Sequence, residues 1–159
     1  MSCFVLDTGI MIGLLRGAPY ARYVLDEYQP FTAPSITVQS IITLAELEAM
    51  GFRRQWEQKK MDALNELVRK IPQQDINHPA VIRQYVEIDA YRHSGHPVRK
   101  LPSGQSAFAM GDNDIWIAAT AAAMSATLLT TDKDFLPLND EFIKVVYIDP
   151  KMRYPASSG

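Results

Sequence analysis

The chain has 159 residues, 47% apolar and 21% charged, a size and balance suited to one ordinary globular domain with a single core. Its 16 Lys and Arg against 18 Asp and Glu give a net charge of −2, which excludes a bulk electrostatic binder of nucleic acid but not a local basic rim. A single cysteine, Cys3, excludes an internal disulfide and any cysteine-based zinc cage, and it reads as a small buried apolar residue in a reducing compartment.

No basic stretch leads into an apolar segment at the N-terminus, and no apolar run reaches the ~20 residues that span a bilayer. A cytoplasmic protein is expected. Residues 3–6 form a short β-like run that Thr8-Gly9 interrupts. Residues 10–16 then read as a short helix closed by Gly17 and Pro19, and residues 20–28 as a second helix stopped by Pro30. The β-branched stretch 35–42 reads as a strand, and from Thr43 the spacing turns helical through Leu44, Leu47 and Met50. Residues 56–70 continue as a helix with Met61, Leu64, Leu67 and Val68 on one side, and a small strand is expected within 71–76. Pro79 is well placed in the first turn of a helix running to about Arg92.

Residues 94–111 are rich in Gly, Ser and Pro and carry Arg99-Lys100. So long a connection predicts a mobile flap over a phosphate path. An Ala-rich helix follows, then a strand at 127–131, a turn around Phe135-Leu136-Pro137 and a last strand near 145–148. The expected organisation is one domain over residues 1–150, with a loop insertion at 94–111 and a flexible tail at 151–159.

Apolar strands alternating with helices imply a parallel sheet covered on both faces, with its site at the carboxyl ends of the strands. Asp7 and Asp132 each follow a predicted strand, while Glu46 and Asp114 fall in the first turns of two helices. Taken singly, each acid suits a turn, a cap or a solvated helix face. Together they can converge, and crowded carboxylates repel unless a cation compensates. An all-oxygen donor set suits magnesium or manganese rather than zinc. The matching chemistry is attack of a metal-activated water on a phosphodiester.

Four segments carry a resemblance to a known family. They are Val5-Leu6-Asp7-Thr8-Gly9, Ile42-Thr43-Leu44-Ala45-Glu46-Leu47, Asn113-Asp114-Ile115-Trp116-Ile117-Ala118-Ala119-Thr120-Ala121 and Leu129-Thr130-Thr131-Asp132-Lys133-Asp134-Phe135. In order and span the chain resembles the PIN-domain nucleases, particularly the VapC-type toxins of bacterial toxin–antitoxin systems. The resemblance implies a three-layer α/β/α sandwich and a Mg2+- or Mn2+-dependent endoribonuclease. It makes Asp7, Glu46, Asp114 and Asp132 the catalytic and metal-binding acids, with Thr8 and Thr130 as polar supports. It also implies an RNA substrate, a homodimer and a small antitoxin, whose amphipathic helix would dock near Ile12, Leu14, Leu15, Tyr20 and Tyr23.

Other readings are weaker. Asp7-Thr8-Gly9 is also the aspartic-protease tripeptide, but helices dominate here. A haloacid-dehalogenase-type phosphatase needs an Asp where Gly9 stands. A housekeeping RNA-processing nuclease of the same fold stays open, as does a silent interaction module, although the four acids are intact. His78, His93 and His96 read as surface histidines, and Arg53, Arg54, Lys59 and Lys60 as a solvated face with contact to RNA as the competing use. Tyr85 and Tyr91 read as core or interface residues.

Overall fold

A computed structural model describes residues 2–155. Its centre is β1 (Cys3–Leu6), which pairs in parallel with β2 (Ile36–Ser40) on one side and β4 (Thr127–Thr130) on the other. Outside these lie β3 (Gln73–Gln74) and β5 (Lys144–Tyr147), so the order is β3-β2-β1-β4-β5 with every pairing parallel. Such a sheet needs helical cover on both faces, because each connection must return from the top of one strand to the bottom of the next.

The helices are α1 (Thr8–Arg16), α2 (Pro19–Tyr28), α3 (Ile41–Arg53), α4 (Gln58–Arg69), α5 (Pro79–Arg92) and α6 (Asp112–Ala123). Two apolar clusters flank the sheet. Val5 and Leu128 point to one, with Ile88, Tyr91 and Ile115 of α5 and α6. Phe4, Leu6 and Leu129 point to the other, with Ile10, Leu47 and Leu64 of α1, α3 and α4. Neighbouring strand residues thus serve opposite layers, as the two-residue period of a strand requires. The predicted α/β/α sandwich is the observed fold. No helix among the described residues is long and apolar enough to cross a membrane.

Boundaries move where a cap intervenes. The strand predicted over 35–42 ends at Ser40, whose hydroxyl accepts the Ile42 N–H and starts α3 two residues early. The turn around Phe135 is a 3-10 segment, Lys133–Leu138. Of the tail, Met152 packs against the second cluster, and the Tyr154 hydroxyl donates to Asp26 at 2.7 Å while its ring meets Tyr23 edge-on. That part is docked on α2 rather than loose; residues 156–159 lie outside the described residues.

The stretch 94–111 differs more. It is irregular, as predicted, but Arg99 donates to the Glu141 carbonyl, pairs with the Glu141 carboxylate and lies over the Phe142 ring. Glu141 and Phe142 precede β5, whose first residue, Lys144, pairs with the first residue of β4. Arg99 is therefore held at the amino ends of the strands, opposite the edge that Asp7 and Asp132 occupy, and is not part of a flap over that edge. The reason is that α5 descends from the top of β3, and no strand follows to carry the chain back up. Residues 94–111 make that ascent instead, anchored below.

The anchor is His96. It is buried, not at the surface, and its Nδ1 accepts the N–H groups of Val98 (3.1 Å) and Arg99 (2.8 Å). With Nδ1 accepting, the ring proton sits on Nε2, 3.2 Å from the Glu87 carboxylate. His78 caps α5 through Nδ1, whereas His93 is exposed beside Asp89. Replacing His96 by Ala orphans two backbone donors and removes one partner of Glu87. The expected cost is about 1–3 kcal/mol, read from urea denaturation midpoints.

Candidate active site

Asp7 takes its place from two constraints. Its backbone N–H continues the β1–β4 ladder by donating to the Leu129 carbonyl at 3.1 Å, and its φ and ψ are extended, so it is the last residue of the strand path. Its side chain is also the N-cap of α1, Oδ1 accepting the Ile10 N–H at 3.1 Å. The second oxygen accepts the Thr130 hydroxyl, and Thr130 Oγ1 in turn accepts the Asp132 N–H at 2.9 Å. One threonine thus ties the acids at the ends of β1 and β4 together. These strands flank the point where the chain, having built outward through β2 and β3, crosses back to the other side of β1. Open parallel sheets place their crevices at such a switch point.

Glu46 arrives from α3 and is fixed at both oxygens. Thr8 donates to Oε1 at 2.7 Å, and Asn113 Nδ2 donates to Oε2 at 3.4 Å. Asp114 stands in the first turn of α6, where the helix dipole favours a negative charge. Asp132 caps the 3-10 segment by accepting the Asp134 N–H at 2.8 Å. The four predicted acids therefore line one small cleft of about 210 Å³, whose apolar wall is Ile117 and Phe135.

Two supports escaped the sequence reading. Gly9 lies so close to Thr131 that a Cβ would stand 2.0 Å from its hydroxyl. The Tyr20 hydroxyl donates to the Gly9 carbonyl at 2.8 Å, with its ring filling the space beside Gly13, where a Cβ would meet ring carbons at 2.4 Å. The Thr-Gly pair after Asp7 was the only signal of either, since a glycine one turn into a helix marks a close approach.

Among the described residues no Lys, Arg or His lines the cleft, and the electrostatics register that lack. Asp7 is pushed up to about 6 chiefly by burial, against the hydrogen bonds from Thr130 and Ile10. Asp114, half-buried, is raised to about 6 by burial and then by the charges of Asp132, Glu46 and Asp7. A hard divalent cation is what such a donor set fits, since it removes the repulsion and accepts only oxygen ligands. Among the described residues no three His, Cys, Asp or Glu side chains already form a metal-binding group. The carboxylates are neighbours, not a preassembled cage, which suits an ion that keeps several waters.

Comparison with known proteins agrees with this geometry. The PIN-domain model matches residues 4–140. A ribonuclease named VapC1 from Haemophilus influenzae strain R2866 is 25% identical over 138 residues, covering 86% of this chain and 92% of that protein. The fold is similar to that of VapBC2 from Rickettsia felis, solved with a DNA fragment from its promoter, with TM-score 0.72 and 19% identity over 92% of this chain and 99% of the other. VapBC-1 from nontypeable Haemophilus influenzae gives TM-score 0.68 and 23% identity over 91% and 97% of the two chains.

The raised acids have a consequence for stability. Unfolded, both release their protons near pH 4; folded, they hold them to about pH 6. Between these values the folded state binds more protons, so the metal-free protein should lose stability as pH rises through this window and not regain it above. For Asp7 the shift corresponds to at most about 3 kcal/mol, and less for Asp114, where solvent screens the charge. Asp114→Asn should therefore melt higher than the parent at pH 7 in EDTA, and the gain should shrink as the pH is lowered to 4.5.

Proposed function

The chain belongs to the PIN-domain family, and from that premise we propose that it is a divalent-metal-dependent endoribonuclease of the VapC toxin type, acting in the cytoplasm. The observation that carries the proposal is the meeting of Asp7, Glu46, Asp114 and Asp132 from four separate elements in one cleft that lacks any cationic side chain. The family match and the ribonuclease name of the relative support the reaction class.

Bound magnesium or manganese would supply charge to the scissile phosphate and lower the pKa of an attacking water. The residues that would hold it are the four acids. Asp7 is the most fixed of them, since α1 and Thr130 orient both its oxygens. Glu46 is held by Thr8 and Asn113, which leaves Asp114 and Asp132 as the acids without a side-chain donor. Asp114, raised to about 6 in the metal-free cleft, would give up its proton when it takes its share of the cation. Ile117 and Phe135 keep bulk water from one side of the cleft.

The partner proposed is a small antitoxin, and the homologous fold is known in VapBC complexes. An apolar groove of about 660 Å³ runs between Leu14, Leu25, Phe31, Ile36 and Leu67, in reach of a helix from such a protein. Of the docking residues expected from the sequence, Leu14 lines this groove, whereas Ile12, Leu15, Tyr20 and Tyr23 are partly buried against the second cluster. A cationic side chain from the same partner would neutralise the acidic cleft. Assembly as a homodimer, and a single domain over residues 1–150, complete the proposal.

Purified protein should cut single-stranded RNA with Mg2+ or Mn2+, leave 5′-phosphate ends and stop with EDTA. Asp7→Asn and Asp114→Asn should each lower turnover by at least about a hundredfold while circular dichroism shows an intact fold. Cleavage that survives chelation, or survives Asp7→Asn, would refute the mechanism.

A further inference from the structure

The corner between α3 and α4 carries an aromatic hollow that no step above uses. Its floor exists because residue 51 is glycine: a Cβ there would stand 2.7 Å from Met61 Sδ and 3.0 Å from the Trp56 ring, so both side chains close flush on α3. The turn is held by the Trp56 N–H donating to the Gly51 carbonyl at 2.9 Å and by a left-handed Gln55. Lys60 stands 4.0 Å over the Trp56 ring. Phe52 forms a wall of the hollow with 89% of its surface exposed, the most exposed large apolar side chain among the described residues.

Four cations bracket this aromatic pair: Arg53 and Arg54 follow Phe52, and Lys59 and Lys60 begin α4. Among the described residues none of them takes part in a salt bridge, whereas five other basic residues with carboxylate neighbours do. Glu48, Glu57 and Asp62 are the acids nearest in sequence, so the cations outnumber them four to three. The hollow and the reaction site share one helix. Ala45 lines the hollow and Glu46 the carboxylate cleft, and Phe52 lies roughly 9 Å further down the axis of α3.

We propose that this corner is a second contact for the RNA substrate, in which an unpaired base flanking the scissile bond stacks on Phe52 beside Trp56 and the adjacent phosphates meet Arg53, Arg54 and Lys59. This rests on the ribonuclease reading above and names where its substrate extends. Exposed aromatic faces with flanking cations are the arrangement that single-stranded nucleic acid takes, because every base has a stacking face and every nucleotide a negative charge. A second copy of the chain fits less well. A twofold contact through this face would set the cation cluster against itself.

The test uses the full chain in EDTA at low salt, with a 5′-fluorescein-labelled uridine 12-mer as probe and fluorescence anisotropy as readout. Phe52→Ala should raise Kd roughly tenfold, the loss of one base–aromatic stack. The double variant Arg53→Ala and Arg54→Ala should flatten the dependence of log Kd on log salt by about 1.4, or about 0.7 per lost phosphate contact. With metal present, Phe52→Ala should raise KM and leave kcat unchanged, a split that a structural role would not produce.

Parent protein that does not bind the probe overturns the proposal, as does a Kd indifferent to Phe52. If Phe52→Ala converts a dimer to a monomer in sedimentation while binding stays constant, the hollow is an interface between copies. Normal cleavage with Phe52-independent binding overturns this proposal alone. Phe52-dependent binding by a chain that cuts nothing overturns the nuclease reading alone.

Discussion

A carboxylate buried at the carboxyl end of the central strand is costly, and much of the local architecture exists to meet that cost. Asp7 meets it with three features: an N-cap to α1, the hydroxyl of Thr130 and a backbone bond that keeps it in register with β4. Each feature fixes a neighbour. The cap sets the direction in which α1 leaves the sheet, which brings Thr8 to Glu46. The Thr130 bond sets Asp132, and the close seat of Gly9 against Thr131 admits no side chain. Even so, burial keeps the affinity of Asp7 for a proton high. The site gathers negative charge with no cation to offset it, and the proposed divalent metal would supply that charge.

The division of labour between the two ends of the sheet follows from parallel topology. Helices descend from the carboxyl ends of strands, so their N-termini and the strand-end acids gather on one edge, as Asp114 and Asp7 do. The opposite edge collects connections that hold the layers in place. Residues 94–111 belong there through His96, Arg99 and the Phe142 ring. Substitutions along that stretch should speak to stability, whereas substitutions on α3 can speak to chemistry, because α3 carries Glu46 midway along it and Phe52 near its C-terminal end.

The α3–α4 corner shows how a fold leaves an apolar side chain where stability would not ask for one. Gly51 lets Trp56 and Met61 close under α3, and that closure supplies the packing. Phe52 adds almost nothing to it, being nearly fully exposed beside cations that form no salt bridge among the described residues. Its exposed ring beside the Trp56 hollow and the four cations is what the proposed contact with RNA uses.

The sequence alone was enough for the layered fold and the order of elements, and it named the four acids that the fold brings into one cleft. Strand and helix periods are local, and Asp7, Glu46, Asp114 and Asp132 each sit beside an apolar segment whose direction is legible without neighbours. Caps were harder: Ser40 ends β2 early because one side-chain hydrogen bond outweighs the β-branched preference of Ile41 and Ile42. Only tertiary structure decided the rest. Composition marked 94–111 as a loop and Arg99-Lys100 as phosphate-facing, yet which edge of the sheet a loop lies on depends on whether a strand follows the preceding helix. It also decided that His96 is buried, since a histidine's burial depends on Glu87 and Phe142, remote from it in the chain. Tyr20 beneath Gly9 and Trp56 beneath Gly51 were equally hidden, because a glycine reveals what it admits only when the neighbour is in place.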